Sequence, residues 1–308
     1  MKIDDKNYNL SVELDNIQLR NPTMLASGIL GISQGIFERL YRENIGAVVT
    51  KSISVSPMKG YPNPTVIPLG GGSYLNAVGL SNPGVDAFSR ELSQNKNVPI
   101  FISLVGSSEK EFSKMVKTFD TLNIIGYEIN LSCPHVSKMG MEVGDDPEAV
   151  NKIVKTVRMN TCKPISVKVG VGSIDVVELA RVAIDAGANI ITAINTLRAM
   201  SIDIETMMPI LSNRIGGLSG NAIKPIGIRC VYEISKKLEV PVIGCGGVSS
   251  WNDVIEYMIA GASAVQIGSI LGSSGPRIFN QITKALKNYV ENKNLKNIGE
   301  IIGIAHKY

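Results

Sequence analysis

The sequence predicts an α/β fold of the (β/α)8 TIM-barrel type, and three observations carry that expectation. Eight short apolar runs, rich in β-branched residues, alternate with amphipathic helical patterns along the chain. Strands that are apolar on both faces and separated by helices imply a parallel sheet. The phrase Gly-Ala followed by a strand recurs as "GAVVT", "GANIIT" and "GASAVQ", each joining a helix to the next strand. A length of 308 residues suits one such barrel, about 250 residues, with insertions. An open doubly wound sheet is the runner-up, and it would need fewer, less evenly spaced units.

The elements follow in order. "LSVELDNIQLR" reads as a short N-terminal hairpin. Strands are predicted over 22–27, 47–52, 99–106, 127–132, 164–170, 189–196, 241–247 and 264–269. Between them lie helical patterns such as "EKEFSKMVKTFDTL", "DPEAVNKIVKTVRMN", "DVVELARVAIDAG" and "SWNDVIEYMIAG". The last sets Val254, Ile255, Met258 and Ile259 at helical spacing and stops at Gly261, a usual C-terminal stop. Two connections, 53–83 and 197–224, are longer than a barrel needs and rich in Gly, Pro, Asn and Ser. Both follow strands, so these long βα loops are expected to build or cover the active site. No second domain or linker is visible, so one domain over 1–308 is expected.

Composition narrows the class. Apolar residues make up 44% and charged residues 19%, an ordinary globular mix. The net charge of +4 is small and Lys and Arg do not cluster, which argues against nucleic acid as a partner. No run of ~18 apolar residues occurs and the start, "MKIDDKNYNL", lacks an apolar signal region. A soluble, cytoplasmic protein with no membrane partner is expected. Cys133, Cys162, Cys230 and Cys245 include no C-x-x-C pair, so no zinc or iron–sulfur centre held by this chain alone is expected. They read as reduced thiols. Of the two histidines, His306 reads as a near-terminal surface residue.

Barrel enzymes place their chemistry where strands end. The polar residues there are Ser27, Lys51 with Ser52, Ser103, Asn130 with Cys133, Lys168, Asn195 with Thr196, Gly246–Gly247 and Gly268–Ser269. Two lysines on one rim, with no carboxylate beside them in sequence, point to an anionic ligand. "GCGGVSS" and "IGSILGSSGP" end the last two strands, where glycines let backbone N–H groups approach a phosphate. "GGLSG" after the sixth strand is a third glycine-rich loop on that side. A G-x-G-x-x-G fingerprint is absent. A phosphate-bearing cofactor beside a lysine able to reach an electron-rich ring indicates flavin mononucleotide (FMN), with Lys168 the natural candidate. Cys133, directly before Pro134 and close to Asn130, Ser132 and His135, suits a chemical site better than a core. Cys162, Cys230 and Cys245 are expected to be structural, although Cys245 flanks the glycine loop.

Taken together, "NPTMLASGILG", "VVTKS", "YLNAVGLSNPG", "EINLSCP", "INT…GGLSGNAIKP", "GCGGV" and "GASAVQIGS" resemble the soluble class 1 dihydroorotate dehydrogenases. The resemblance runs from about Leu19 to about Lys284, in order and with family-like spacing. It implies FMN contacts from Ser27, Lys51, Ser52, Ser103, Asn130, Lys168, Ile194, Gly220, Gly246, Gly247, Gly268 and Ser269. It implies substrate contacts from Lys51, Asn76, Ala77, Val78, Gly79, Leu80, Asn130, Asn195 and Thr196. Cys133 would be the base that takes the C5 proton of dihydroorotate while hydride leaves C6 for the flavin. A thiol of reference pKa about 8.5 is partly ionised near neutrality and can do this. The loop "CPHVSKMGMEVGDDPEAV" looks like a lid over the substrate.

Two departures stand out. Family members carry Asn after the Cys-Pro pair, whereas this chain has His135, which would replace the amide contact and favour the Cys133 thiolate. Ser103 in "ISLVGSS" is closer to the fumarate-using subclass, yet "INTLRAMSIDIETMMPILSNRIGGLSGNAIKP" resembles the NAD-linked class 1B subclass. The partner subunit of that subclass carries FAD and a [2Fe–2S] cluster. The resemblance also implies a homodimer. Two alternatives remain open at this stage. One is another FMN barrel reductase, related to dihydropyrimidine dehydrogenase or dihydrouridine synthase; the other is a flavin-binding protein without turnover.

Overall fold

The computed structural model describes residues 9–95, 97–131 and 146–308. Eight parallel strands close into a barrel in sequence order. They are β1 (Thr23–Leu25), β2 (Ala47–Val49), β3 (Ile100–Leu104), β4 (Gly126–Asn130), β5 (Ile165–Val169), β6 (Ile190–Ala193), β7 (Val242–Cys245) and β8 (Ala262–Ile267). β8 returns to pair with β1 through Gln266 opposite Met24. The (β/α)8 expectation holds, and the doubly wound alternative, which leaves the sheet open, does not. The predicted strands overran every ladder by one to three residues at the C-terminal end, where only single backbone bonds, such as Ala26 N–H to the Ile267 carbonyl and Ile194 N–H to the Cys245 carbonyl, carry the pairing further.

The helices follow the strands as expected: α1 (Gln34–Arg42), α2 (Val85–Leu92), α3 (Glu109–Phe119), α4 (Pro147–Asn160), α5 (Val176–Asp185), α6 (Lys224–Lys237), α7 (Trp251–Ala260) and α8 (Ile278–Asn292). Their starts are set locally. Asp146 and Asp175 each accept two backbone N–H groups at the first turns of α4 and α5, satisfying donors the helix itself cannot. α7 ends at Gly261, whose φ of 122° suits a residue without Cβ. Phe37, Phe88, Phe112, Phe119, Tyr257 and Phe279 are all fully buried in the layer between helices and barrel. Among the described residues no helix is long and apolar enough to cross a membrane.

The N-terminal hairpin is present as Val12–Leu14 paired with Ile17–Leu19. The two long connections differ from the expectation of irregular loops. Val66–Gly70 and Ser73–Asn76 from the first, and Leu197–Met200 and Ile215–Gly220 from the second, form one four-stranded antiparallel sheet. Leu75 sits opposite Leu218 at its centre, and a small core of Leu75, Ala77 and Leu211 lies beneath it. Neither segment has a partner within its own stretch for every ladder, which is why sequence alone reads both as loops.

Two further expectations change. His306 is half-buried, with Nε2 3.0 Å from the Ala260 carbonyl and 3.2 Å from Ser235 Oγ, and its ring meets Tyr232 edge-on. Cys162 is exposed rather than structural, whereas Cys230 is buried and its thiol is pushed up to about 11 by that burial. The sheet core yields a test: Leu75→Ala should cost about 2–5 kcal/mol in urea unfolding, as for a fully buried leucine. A loss below about 1 kcal/mol would mean that the sheet folds independently of the barrel.

Candidate active site

A cavity of about 940 Å3 opens at the C-terminal end of the barrel, between the strand ends and the four-stranded sheet. Ser27, Lys51, Ser52, Asn130, Lys168, Ile194, Gly220, Gly246, Gly247, Gly268 and Ser269 all line it. So do Asn76–Leu80, Asn195 and Thr196. Residues predicted from widely separated motifs therefore converge on one space. Ser103 is the exception. It is fully buried behind the wall, 2.9 Å from Ser52 Oγ, and reaches the cavity only through that hydroxyl. Cys133 and His135, with most of the loop read as a lid, lie outside the described residues.

A chain of amides forms one wall. Asn130 Nδ2 donates to Ser52 Oγ at 3.0 Å, and Asn195 Nδ2 donates to Asn130 Oδ1 at 3.2 Å. The Thr196 N–H donates to Asn195 Oδ1 at 2.8 Å. Asn76 is held from the covering sheet, its Nδ2 donating to the Gly217 carbonyl at 3.0 Å. Each amide thus has a defined orientation before any ligand arrives. Lys51 stands half-buried at the mouth, and burial lowers its pKa. Among the described residues no carboxylate pairs with its Nζ, so an arriving anion would meet an unneutralised charge.

The floor is polar and deep. Lys168, only 5% exposed, donates to Gln266 Oε1 at 2.9 Å. Gln266 Nε2 in turn donates to Glu128 Oε2, which also accepts from Thr192 Oγ1 at 3.2 Å. Thr192 is 2.8 Å from Ser166 Oγ. Burial opposes the Lys168 ammonium, but Cys245 and Glu128 favour it and leave its pKa raised. Burial pushes the Cys245 thiol up, so Glu128 is the standing countercharge. Cys245 is not merely structural, since it lines the cavity beside Lys168.

Reading only strand ends missed Glu128, Ser166, Thr192 and Gln266. The signal was present in the strand period. Glu128 and Asn130 are two apart in "YEINLS", as are Ser166 and Lys168 in "PISVKVG", so each pair shares the inward face.

The far end of the cavity is built from backbone. Gly246 and Gly247 have φ of 125° and 70°. A Cβ on Gly247 would sit 2.8 Å from the Gly220 carbonyl oxygen, so no side chain fits between the loops that follow β6 and β7. The next turn is locked by Asp253. Its Oδ2 accepts from the N–H groups of Ser249 and Ser250 at 2.9 and 2.8 Å, and its Oδ1 from Lys224 Nζ at 2.7 Å. Burial works against the ionised Asp253, but bonds from Lys224, Ser249 and Ser250 outweigh it and hold the carboxyl below its usual value. Closely spaced N–H groups, glycine access and a lysine on the floor fit a phosphate-bearing aromatic ligand such as FMN.

Comparison with known proteins identifies the family. The family described as dihydroorotate dehydrogenase matches residues 9–290. The catalytic subunit of dihydroorotate dehydrogenase B (NAD(+)) from Pyrococcus furiosus is 41% identical over 299 residues, covering 97% of this chain and 99% of that protein. The same subunit from Methanothermobacter thermautotrophicus is 41% identical over 302 residues, with 97% and 99% covered. That from Archaeoglobus fulgidus is 45% identical over 300 residues, with 96% and 99% covered.

Asp253→Asn tests the lock on the turn. Because the folded pKa is depressed, the carboxylate's contribution is present above the unfolded value, about 4, and lost as pH falls through the folded one. The variant should lose roughly 1–3 kcal/mol at pH 7 in urea unfolding and converge with wild type towards pH 3. Equal deficits at both pH values would contradict the assignment.

Proposed function

The chain belongs to the dihydroorotate dehydrogenase family, and on that premise we propose that it oxidises (S)-dihydroorotate to orotate in pyrimidine biosynthesis, as one FMN-binding barrel domain in the cytoplasm. The observation that carries this reading is the convergence of Lys51, Asn76, Asn130, Lys168, Asn195 and the Gly246–Gly247 backbone on one cavity. FMN would be held by Ser27, Ser52, Asn130, Lys168, Ile194, Gly220, Gly246, Gly247, Gly268 and Ser269, and when bound it supplies the acceptor for the hydride from C6.

The chain's own residues do the rest. Lys51 pairs with the substrate carboxylate, a charge-assisted contact stronger than a neutral hydrogen bond. Asn76, Asn130, Asn195 and Thr196 match the ring amides, because each Asn side chain offers both a donor and an acceptor. The Ser52–Asn130–Asn195–Thr196 chain holds these groups in one orientation, so little is lost on binding. Cys133 takes the C5 proton, and His135 beside it supplies a hydrogen bond in place of the family's Asn. Backbone N–H groups at Gly246–Val248 and the Gly268–Ser269 turn hold the phosphate. Lys168 would set positive charge near bound FMN and favour its electron-rich reduced form.

The relatives, named as catalytic subunits of NAD(+)-linked enzymes, support NAD(+) as the acceptor beyond the flavin. Electrons leave this chain through a partner subunit carrying FAD and a [2Fe–2S] cluster, the core being a homodimer of this chain. A flavin-binding protein without turnover has no need of an anion-binding lysine and an ordered amide wall on one cavity.

Anaerobic addition of dihydroorotate to the FMN-loaded protein should bleach the flavin absorbance. Cys133→Ala should slow that bleaching roughly 10²–10⁴-fold without abolishing it. Flavin that stays oxidised in the wild-type protein would reject the substrate. Lys51→Ala should weaken dihydroorotate binding roughly 10–100-fold in the same titration, while a neutral amide analogue lacking the carboxylate should be little affected.

A further inference from the structure

Glu128 lies beneath the residues assigned so far, and no substrate or flavin contact accounts for it. It is 1% exposed at the centre of the barrel. Its Oε2 accepts from Gln266 and Thr192, while Oε1 meets no donor among the described residues. Burying a carboxylate with one oxygen unpaired costs several kcal/mol, and an apolar side chain would fill a barrel layer at lower cost. Retaining it calls for a compensating role.

Gln266 supplies the link. Its carbonyl oxygen faces the Lys168 ammonium and its amide N–H faces Glu128, so the side-chain dipole is aligned between the two charges. β8 carries Gln266, β4 carries Glu128 and β5 carries Lys168, which fixes the three across the barrel rather than on one flexible element. The other groups facing this chain are the hydroxyls of Thr192, Ser166 and Ser27 and the thiol of Cys245. None of the hydroxyls is charged near neutrality, and burial keeps the thiol neutral, so the Lys168–Glu128 balance sets the field at the floor.

We propose that Glu128 is a positioning residue which, through Gln266, holds Lys168 in place and offsets part of its charge, thereby setting how strongly the cavity floor favours negative charge on the bound flavin. The inference rests on the FMN reading above. It predicts a sign. Removing the carboxylate leaves Lys168 less balanced, so a flavin carrying added negative charge is stabilised.

Sulfite reads this directly, because it adds to N5 of oxidised flavin and leaves negative charge on the ring. In the FMN-loaded protein, Glu128→Gln should lower the sulfite Kd roughly tenfold, the order expected for removing one partly screened charge beneath the site. The equilibrium midpoint potential of the flavin should rise in parallel. Glu128→Met, which removes the carboxylate while filling similar space, should move both in the same direction, and it decides the matter if Glu128→Gln does not fold. A folded, yellow variant whose sulfite Kd stays within twofold of wild type, or rises, would leave Glu128 a packing residue. Protein that takes up no FMN would overturn the cofactor reading and this inference with it, whereas FMN uptake with unmoved sulfite affinity overturns this inference alone.

Discussion

A lysine ammonium buried inside a barrel is a constraint that the surrounding structure must satisfy. Lys168 is 5% exposed, and its desolvation would be prohibitive without acceptors and a countercharge. Gln266, Glu128, Thr192 and Ser166 meet that requirement from β8, β4, β6 and β5. The parallel register makes this possible by setting Glu128 beside Ser166, Asn130 beside Lys168 and Lys168 beside Thr192. A slip of one residue in any of these strands would turn its polar side chain out towards the apolar helices. The polar interior and the barrel register therefore depend on one another, and the cavity floor follows from both.

The walls have a different origin. β6 and β7 end in backbone turns where a Cβ on Gly247 would collide with the neighbouring loop, so close approach of backbone to a ligand is built into the glycines. The opposite wall comes from two segments more than a hundred residues apart, joined as Ser73–Asn76 against Ile215–Gly220. Their pairing brings Asn76 over the strand ends, where Asn130 and Asn195 already stand in line. The cavity thus receives Lys51 and Lys168 from the barrel strands and their ends, and Lys59, Arg198 and part of its amide wall from the two long connections.

The chain belongs to the dihydroorotate dehydrogenase family, and the relatives' names place them with the NAD(+)-linked form. The chain also departs from the family's pattern. His135 follows the Cys133–Pro134 pair where the resemblance leads one to expect Asn. Ser103, in the strand that resembles the fumarate-using subclass, is buried behind Ser52 and orients that hydroxyl rather than meeting a ligand. The feature that looked least like the NAD-linked subclass is therefore one step removed from the cavity.

The sequence by itself determined the barrel, its strand and helix order, and the polar residues and glycines at the strand ends that line the cavity. Each of these is written in a short-range signal: apolar runs for buried parallel strands, glycines where backbone must come close, polar residues at strand ends. Asn76–Leu80 and Ile194 came instead from the family resemblance. The fate of 53–83 and 197–224 was decided only by tertiary structure, because the ladder that joins their two hairpins into one sheet pairs Ser73–Asn76 with Ile215–Gly220 and no local period announces that. The same holds for Glu128 and Gln266. Alternation shows that they face inward, but their worth lies in bridging to Lys168 across the barrel, and closure of β8 onto β1 is what brings those three strands around one centre.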